Sequence, residues 1–364
     1  MKPNYWLWSL LCLLLSVPLA WRLVQRRSSQ PPVAMVRCAA WHVPVPDASD
    51  PTWHAAFATG QHGLGRALAA VVQRQAPDLL LLTGLPAEAV AEVAAVLRSR
   101  YFAVAQEGLE PIDYEFVWTG APASGLLVCS RHPILTERVR DFAGLPWGRL
   151  PGAAAAPELA PQPLWPGGCA VVPVGIGAVA ANHVLQVVCV VPAAVTAGAV
   201  GVQALRRDDG LRGLGALVGG ESADWLVDAA GRRGGLAAQE PFVVLGPLGC
   251  DPEDGPFATA ALTALLGLPA LQDPAPRSAG AAEAQQLQWG ANAAHRGDPA
   301  CDTADLDDAV GVGLGNLRLD YALAGRALEV LGGGVFWPGE KARAGAPASV
   351  SPHHLVWVDV RAPR

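Results

Sequence analysis

The chain has 364 residues, 51% of them hydrophobic against 16% charged. That balance excludes a disordered polyelectrolyte and implies a globular body with a large core. A net charge of −6, with Lys2 and Lys341 the only lysines, leaves no strong signature of nucleic-acid binding, which needs a cationic face.

Residues Tyr5–Trp21 form one apolar stretch, preceded by Lys2 and followed by Arg22, Arg26 and Arg27. At about 1.5 Å of rise per residue, a helix of this length sits near the lower limit for crossing a bilayer. Trp6, Trp8 and Trp21 at its ends suit the membrane interface. Pro18 occupies the position where cleavage after Ala20 would want a small residue, so an uncleaved anchor is favoured over a signal peptide. Residues 1–32 are thus expected to be an N-terminal hydrophobic helix and tether, and 33–364 the folded domain. The flanking charges are too evenly divided to set topology. The expected location is a membrane, with the extracytoplasmic side open, or the exterior if the segment is cleaved.

Val33–Val43 reads as a strand. Gly60–Gln75 carries Leu64, Leu68, Val71 and Val72 at helical spacing, and Pro77-Asp78 separates it from a Leu79–Leu82 strand. Pro86–Arg100 reads as a second helix with Val90, Val93, Val96 and Leu97 on one face. Strands follow at Ser124–Ser130, Ala170–Val174 and His183–Val191, the last apolar enough for burial on both faces. A weak helix at Ala204–Leu217, a buried strand at Phe242–Leu245 and a helix at Phe257–Leu266 come next. Strands at Leu317–Ala324 and His354–Val360 close the chain. Strands alternating with helices predict a layered α/β protein.

The seven cysteines form no Cys-x-x-Cys pair and no zinc-like spacing. Cys38, Cys129 and Cys189 lie in apolar runs and read as core. Cys250 is expected to be an inert loop cysteine rather than a reactive thiol. Arg206-Arg207 and Arg232-Arg233 read as solvated surface charge. Gly311-Val312-Gly313-Leu314-Gly315 leads into a strand and lacks a lysine, which argues against a phosphate cradle.

Five segments carry the functional reading: Val36–Val43, Pro77–Leu85, Val243–Asp254, Asn316–Leu323 and Ser349–Val360. Their order and apolar framework resemble the endonuclease/exonuclease/phosphatase superfamily of metal-dependent phosphoesterases. Further matches to a bacterial branch lie in Gly125–Ile134, Trp147–Gly152, Asp302–Asp305, Gly315–Tyr321 and Val335–Pro338. The resemblance implies a four-layer α/β sandwich: two packed mixed β-sheets flanked by helices. It also exposes losses. His42 stands where the family has Asn, and Thr83-Gly84 where it has Gln-Glu. Gly246-Pro247-Leu248-Gly249 replaces Gly-Asp-x-Asn, Val191 replaces a phosphate-contacting His, and Ser351-Pro352-His353 replaces Ser-Asp-His.

The family holds Mg²⁺ chiefly through the Glu absent at Gly84, and orients water and phosphate through the Asp and Asn absent at Pro247 and Gly249. The resemblance therefore implies a lost metal site and no cofactor. Asp320 and His353 match a carboxylate–histidine pair of the family, and a retained structural hydrogen bond is favoured over catalysis. His42 with His353 and Asp320 or Asp251 could suit a softer metal such as Zn²⁺, but drift at a released position is the better reading. The leading expectation is a membrane-tethered non-catalytic binding or scaffold protein with an unknown ligand or protein partner. The alternatives are an active phosphodiesterase or nuclease with a rewired site, and a decaying gene.

Overall fold

The computed structural model describes residues 35–45, 51–121, 124–177, 183–193, 201–220, 223–255, 259–310, 313–343 and 350–362. The expected anchor and tether at 1–32, and Gly311-Val312, lie outside them. Among the described residues, no helix is long and apolar enough to cross a membrane. The unit described here begins at Met35.

Two mixed sheets form the centre. The first contains β1 (Met35–His42), β2 (Leu79–Thr83), β3 (Phe116–Thr119) and β4 (Leu127–Ser130), together with two strands from the end of the chain, β13 (Val330–Val335) and β14 (Val356–Arg361). Its order is β13-β14-β1-β2-β4-β3, with β1 and β2 parallel. The second contains β5 (Arg140–Asp141), β6 (Cys169–Gly175), β7 (Val184–Val190), β8 (Phe242–Pro247), β9 (Leu271–Gln272) and β12 (Asp320–Gly325). Its order is β5-β6-β7-β8-β12-β9, with β7 and β8 parallel. A separate ribbon pairs β10 (Ala304–Asp305) with β11 (Asn316–Leu317).

The period-two alternation of strands accounts for the layering. Leu79 and Leu81 of β2 join Cys38, Ala40, Val187, Cys189, Val243 and Leu245 in the core between the sheets. Leu80 and Leu82 point the other way, against Leu68 and Val72 of α2 (Gly63–Gln75) and Val90 and Val93 of α3 (Val90–Val96). The unbroken Leu79–Leu82 run is thus a strand covered on both faces. Val188, Val190, Val244 and Leu323 face Leu211, Leu214 and Leu217 of α4 (Val202–Val218) and Leu262 and Leu265 of α5 (Ala260–Leu266). The order helix, sheet, sheet, helix is the expected four-layer α/β sandwich.

Local expectations needed correction. Pro86–Arg100 is not one helix: a 3₁₀ turn precedes α3, and a wider i→i+5 turn spans Leu97–Phe102. Tyr101 and Phe102 are both fully buried there, although adjacent in sequence. Arg206 and Arg207 are buried rather than solvated, at 6% and 3% exposure. The Arg206 guanidinium donates to Pro163 O and Gln162 Oε1, which satisfies it inside the fold. Arg232 and Arg233 are exposed as expected. Several elements lacked a sequence expectation, among them α1 (Pro51–Ala58), β3, β13 and α6 (Ala279–Gln288). Gly332, Gly333 and Gly334 give β13 no strand propensity, and its pairing with β14 creates it.

Candidate functional site

The five segments converge where β1, β2 and β8 end and β12 begins. Parallel pairing of β1 with β2 sets His42 beside Thr83, and antiparallel pairing of β12 with β8 sets Asp320 beside Pro247. The approach to β14 brings Ser351 and His353 across the gap. Ser351 Oγ donates to His42 O at 2.7 Å and accepts from His353 N at 2.9 Å. Trp41 Nε1 donates to His353 O at 2.8 Å. His353 is therefore held by its backbone on both sides, and it also bridges to Ala304 of the ribbon.

His353 Nδ1 donates to Asp320 Oδ2 at 2.7 Å. Asp320 is 1% exposed, and the same oxygen accepts from Thr303 Oγ1 at 3.0 Å. Thr303 Oγ1 in turn accepts from the amides of Leu319 and Asp320 at 2.9 Å. Asp320 Oδ1 is buried without a hydrogen-bond partner. His42 Nδ1 shares a hydrogen bond of 2.9 Å with Thr83 Oγ1, and its ring meets that of His353 edge-on, 4.7 Å between centres. Burial depresses His42 to about 4, with repulsion from His353 adding to the effect. Burial also opposes charge on His353, but the Asp320 carboxylate and its hydrogen bond outweigh it and raise the ring above its ordinary value. The site thus sets a histidine whose charged form the Asp320 carboxylate favours beside one whose charged form burial disfavours.

The remaining positions supply no polar side chain. Gly84 has φ +81°, and a Cβ built on it would lie 2.9 Å from Pro44 N and Val43 C and 3.0 Å from His42 Cε1. The position where the resembled family carries its metal-binding Glu is closed by backbone and by His42 itself. Pro247 ends β8, and Gly249 follows at φ +68°. Val191 packs against the core between the sheets, and Pro352 is exposed, its carbonyl accepting from Asp305 N at 2.8 Å. Cys250 is buried, and burial pushes its thiol up to about 12, so it is not a nucleophile near neutral pH. Asp251 is engaged elsewhere, accepting from the amides of Glu253, Asp254 and Arg318.

A hard divalent cation wants several oxygen ligands in a regular shell. Asp320 offers carboxylate oxygens here, while Gly84, Pro247 and Gly249 add no side-chain ligand, so these residues do not fit Mg²⁺. Among the described residues, no group of at least three His, Cys, Asp or Glu side chains could hold a metal. The pair can donate a charge-assisted hydrogen bond to an anionic oxygen. Thr83, Thr303 and Trp41, which position the two histidines, were not assigned roles by sequence reasoning; the Asp302–Asp305 match was the available signal for Thr303.

No family model matches the chain, and no curated protein does. Solved structures are similar in fold. An endonuclease/exonuclease/phosphatase from Beutenbergia cavernae shares 18% identity, covering 90% of this chain and 72% of that one, with a TM-score of 0.47. Sphingomyelinase C from Streptomyces griseocarneus shares 16% over 90% of this chain and 99% of that one, also at 0.47. An endonuclease/exonuclease/phosphatase family protein from Bacteroides thetaiotaomicron shares 10% over 90% and 97%, at 0.46. Likeness at this level carries no argument about chemistry.

Proposed function

We propose that this chain is a non-catalytic binding or scaffold protein with an endonuclease/exonuclease/phosphatase-like domain, tethered to a membrane through Tyr5–Trp21. The observation that carries the loss of chemistry is Gly84. Its left-handed backbone and the atoms crowding its missing Cβ leave no place for a Glu side chain without strain. Phosphoester displacement depends on charge neutralisation and on positioning of the attacking water. Gly84, Pro247 and Gly249 supply neither. What survives is suited to holding an anionic group at His353 without cleaving it.

The test is a hydrolysis assay on nucleic acid, phospholipid and small phosphate esters with Mg²⁺, Mn²⁺ or Zn²⁺ present. No turnover is expected. Hydrolysis that His353→Ala abolishes would establish the second reading, a rewired phosphodiesterase. That reading is favoured by one observation, the closure of half-buried His42 and His353 on buried Asp320, with Asp320 Oδ1 unpartnered. For the tether, full-length protein should sediment with membranes; a soluble protein with its N-terminus intact would refute the anchor.

A further inference from the structure

Two of the altered positions bond to each other. His42 and Thr83 sit side by side where β1 pairs with β2, and His42 Nδ1 lies 2.9 Å from Thr83 Oγ1. Thr83 is 1% exposed, and that ring nitrogen is the one partner of its hydroxyl among the described residues. If the hydroxyl accepted from Nδ1–H, its own proton would be buried with no acceptor, the costlier arrangement. Thr83 therefore donates and Nδ1 accepts, which leaves the ring proton of His42 on Nε2. Burial acts in the same direction, because it disfavours the charged ring, in which Nδ1 has no lone pair to accept with. His353 is tied by the same nitrogen: its Nδ1 donates to Asp320 Oδ2 at 2.7 Å. Asp320 favours the charged form of that ring, in which Nε2 carries a proton as well. Among the described residues, neither Nε2 has a partner, and neither belongs to the sealed, unpartnered atoms, which are His62 Nδ1, His183 Nδ1, Asn316 Oδ1 and Asp320 Oδ1. Both Nε2 atoms are thus open to solvent.

We propose that Thr83 fixes His42 as the Nε2–H tautomer, so that His42 and His353 form a two-imidazole clamp for a small oxyanion. The rings lie 4.7 Å apart between centres, and two N–H···O bonds of about 2.9 Å span enough distance for one such anion to bridge them. The clamp offers two N–H donors and no open acceptor of its own. It therefore matches oxygens that bring lone pairs and no proton, as in sulfate or a fully ionised phosphate, and it gives nothing to the hydrogen of an alcohol. In this tautomer the outward nitrogen of His42 has no lone pair with which to take a proton from water. His42 then holds an anion and does not act as a base. Thr83 acts through His42 and is a positioning residue. The inference rests on the reading above that the site holds an anionic group, and adds His42 as its second donor.

The experiment is nitrogen NMR of the full chain with isotope-labelled histidine rings, near neutral pH, with His42 assigned by the signals lost in His42→Asn. Before any anion is added, wild-type His42 should carry its proton on Nε2 and leave Nδ1 bare. Sodium sulfate should then shift the Nε2 signals of His42 and His353 together, with one dissociation constant. Thr83→Val should weaken sulfate about tenfold, and Thr83→Ser, which keeps the hydroxyl, should bind as wild type does. The tautomer is read on wild type and so needs no variant to fold. A proton on His42 Nδ1, or an even mixture of tautomers, overturns the clamp. Sulfate that shifts His353 alone also overturns it and leaves the anion site at His353 standing. Equal sulfate affinity of Thr83→Val and wild type overturns the role of Thr83. Sulfate that shifts neither ring overturns the clamp and the anionic reading of the site together.

Discussion

His42 and His353 lie 4.7 Å apart, ring centre to ring centre, yet their surroundings drive protonation in opposite directions. His42 is depressed to about 4 by burial and by His353. Between about pH 4 and 6.5 the unfolded chain binds a proton that the folded chain does not, so stability falls as pH falls through this window. His42→Asn should remove that slope, worth roughly 3 kcal/mol in full, when urea midpoints of variant and wild type are compared across pH. His353 is raised, so its contribution is complete below about pH 6.5 and is lost as pH climbs through the folded value. A His353→Ala variant should lose about 3 kcal/mol at pH 6, because the buried Asp320 carboxyl is left with Thr303 as its remaining side-chain partner. The deficit should shrink at alkaline pH. Asp302 makes a third case: burial first, then Asp251, Asp254 and Asp298, push its carboxyl up to about 8. The folded state holds that proton where the unfolded state has released it. Asp302→Asn should match wild type near pH 4 and be the more stable protein above pH 8.

At the scale of elements, the junction between β2 and the loop after it decides what the site can become. Gly84 is left-handed and has backbone within 3 Å of its missing side chain. Gly84→Ala should therefore cost about 2 kcal/mol or more, from the left-handed penalty together with crowding. A chain carrying Gly84→Glu, Pro247→Asp and Gly249→Asn together restores the family's residue types but should still bind no Mg²⁺ tightly. Calorimetric titration of that variant, with its folding checked by circular dichroism, reads the outcome. Gly249 at φ +68° tolerates Asn well, so failure would lie at Gly84. The helix α4 shows the opposite difficulty. Arg206, Arg207 and Asp209 are buried on it, and Asp209 accepts from Trp147 Nε1 and Arg212. Polar groups on the inward face blur the helical period, which is why the sequence signal there was weak.

At the scale of the whole molecule, pairing of β1 with β14 in one sheet brings residues more than 300 positions apart into one site, as in the hydrogen bond from Ser351 to His42, and packing of the second sheet adds Asp320. Such a site is coupled to global folding. Mg²⁺, even in large excess, should leave the melting temperature unchanged, because a ligand stabilises only by binding the folded state. A rise in melting temperature that follows Mg²⁺ concentration, and that Asp320→Asn removes, would contradict the proposed loss of the metal site.

The two-sheet architecture was legible in the sequence because apolar period is a local property: the Leu79–Leu82 and Val184–Val190 runs announce doubly covered strands wherever they sit. The collinear segments Val36–Val43, Pro77–Leu85, Val243–Asp254, Asn316–Leu323 and Ser349–Val360 likewise named candidate residues, of which the structure brings His42, Asp320 and His353 together. Tertiary structure decided the rest. Burial of Arg206 and Arg207, the strand formed by Gly332–Gly334 and the outward turn of Trp289 depend on partners distant in sequence. So do the opposite shifts of His42 and His353 and the closure of Gly84, since electric fields and steric contacts are set by proximity in space, which no local pattern records.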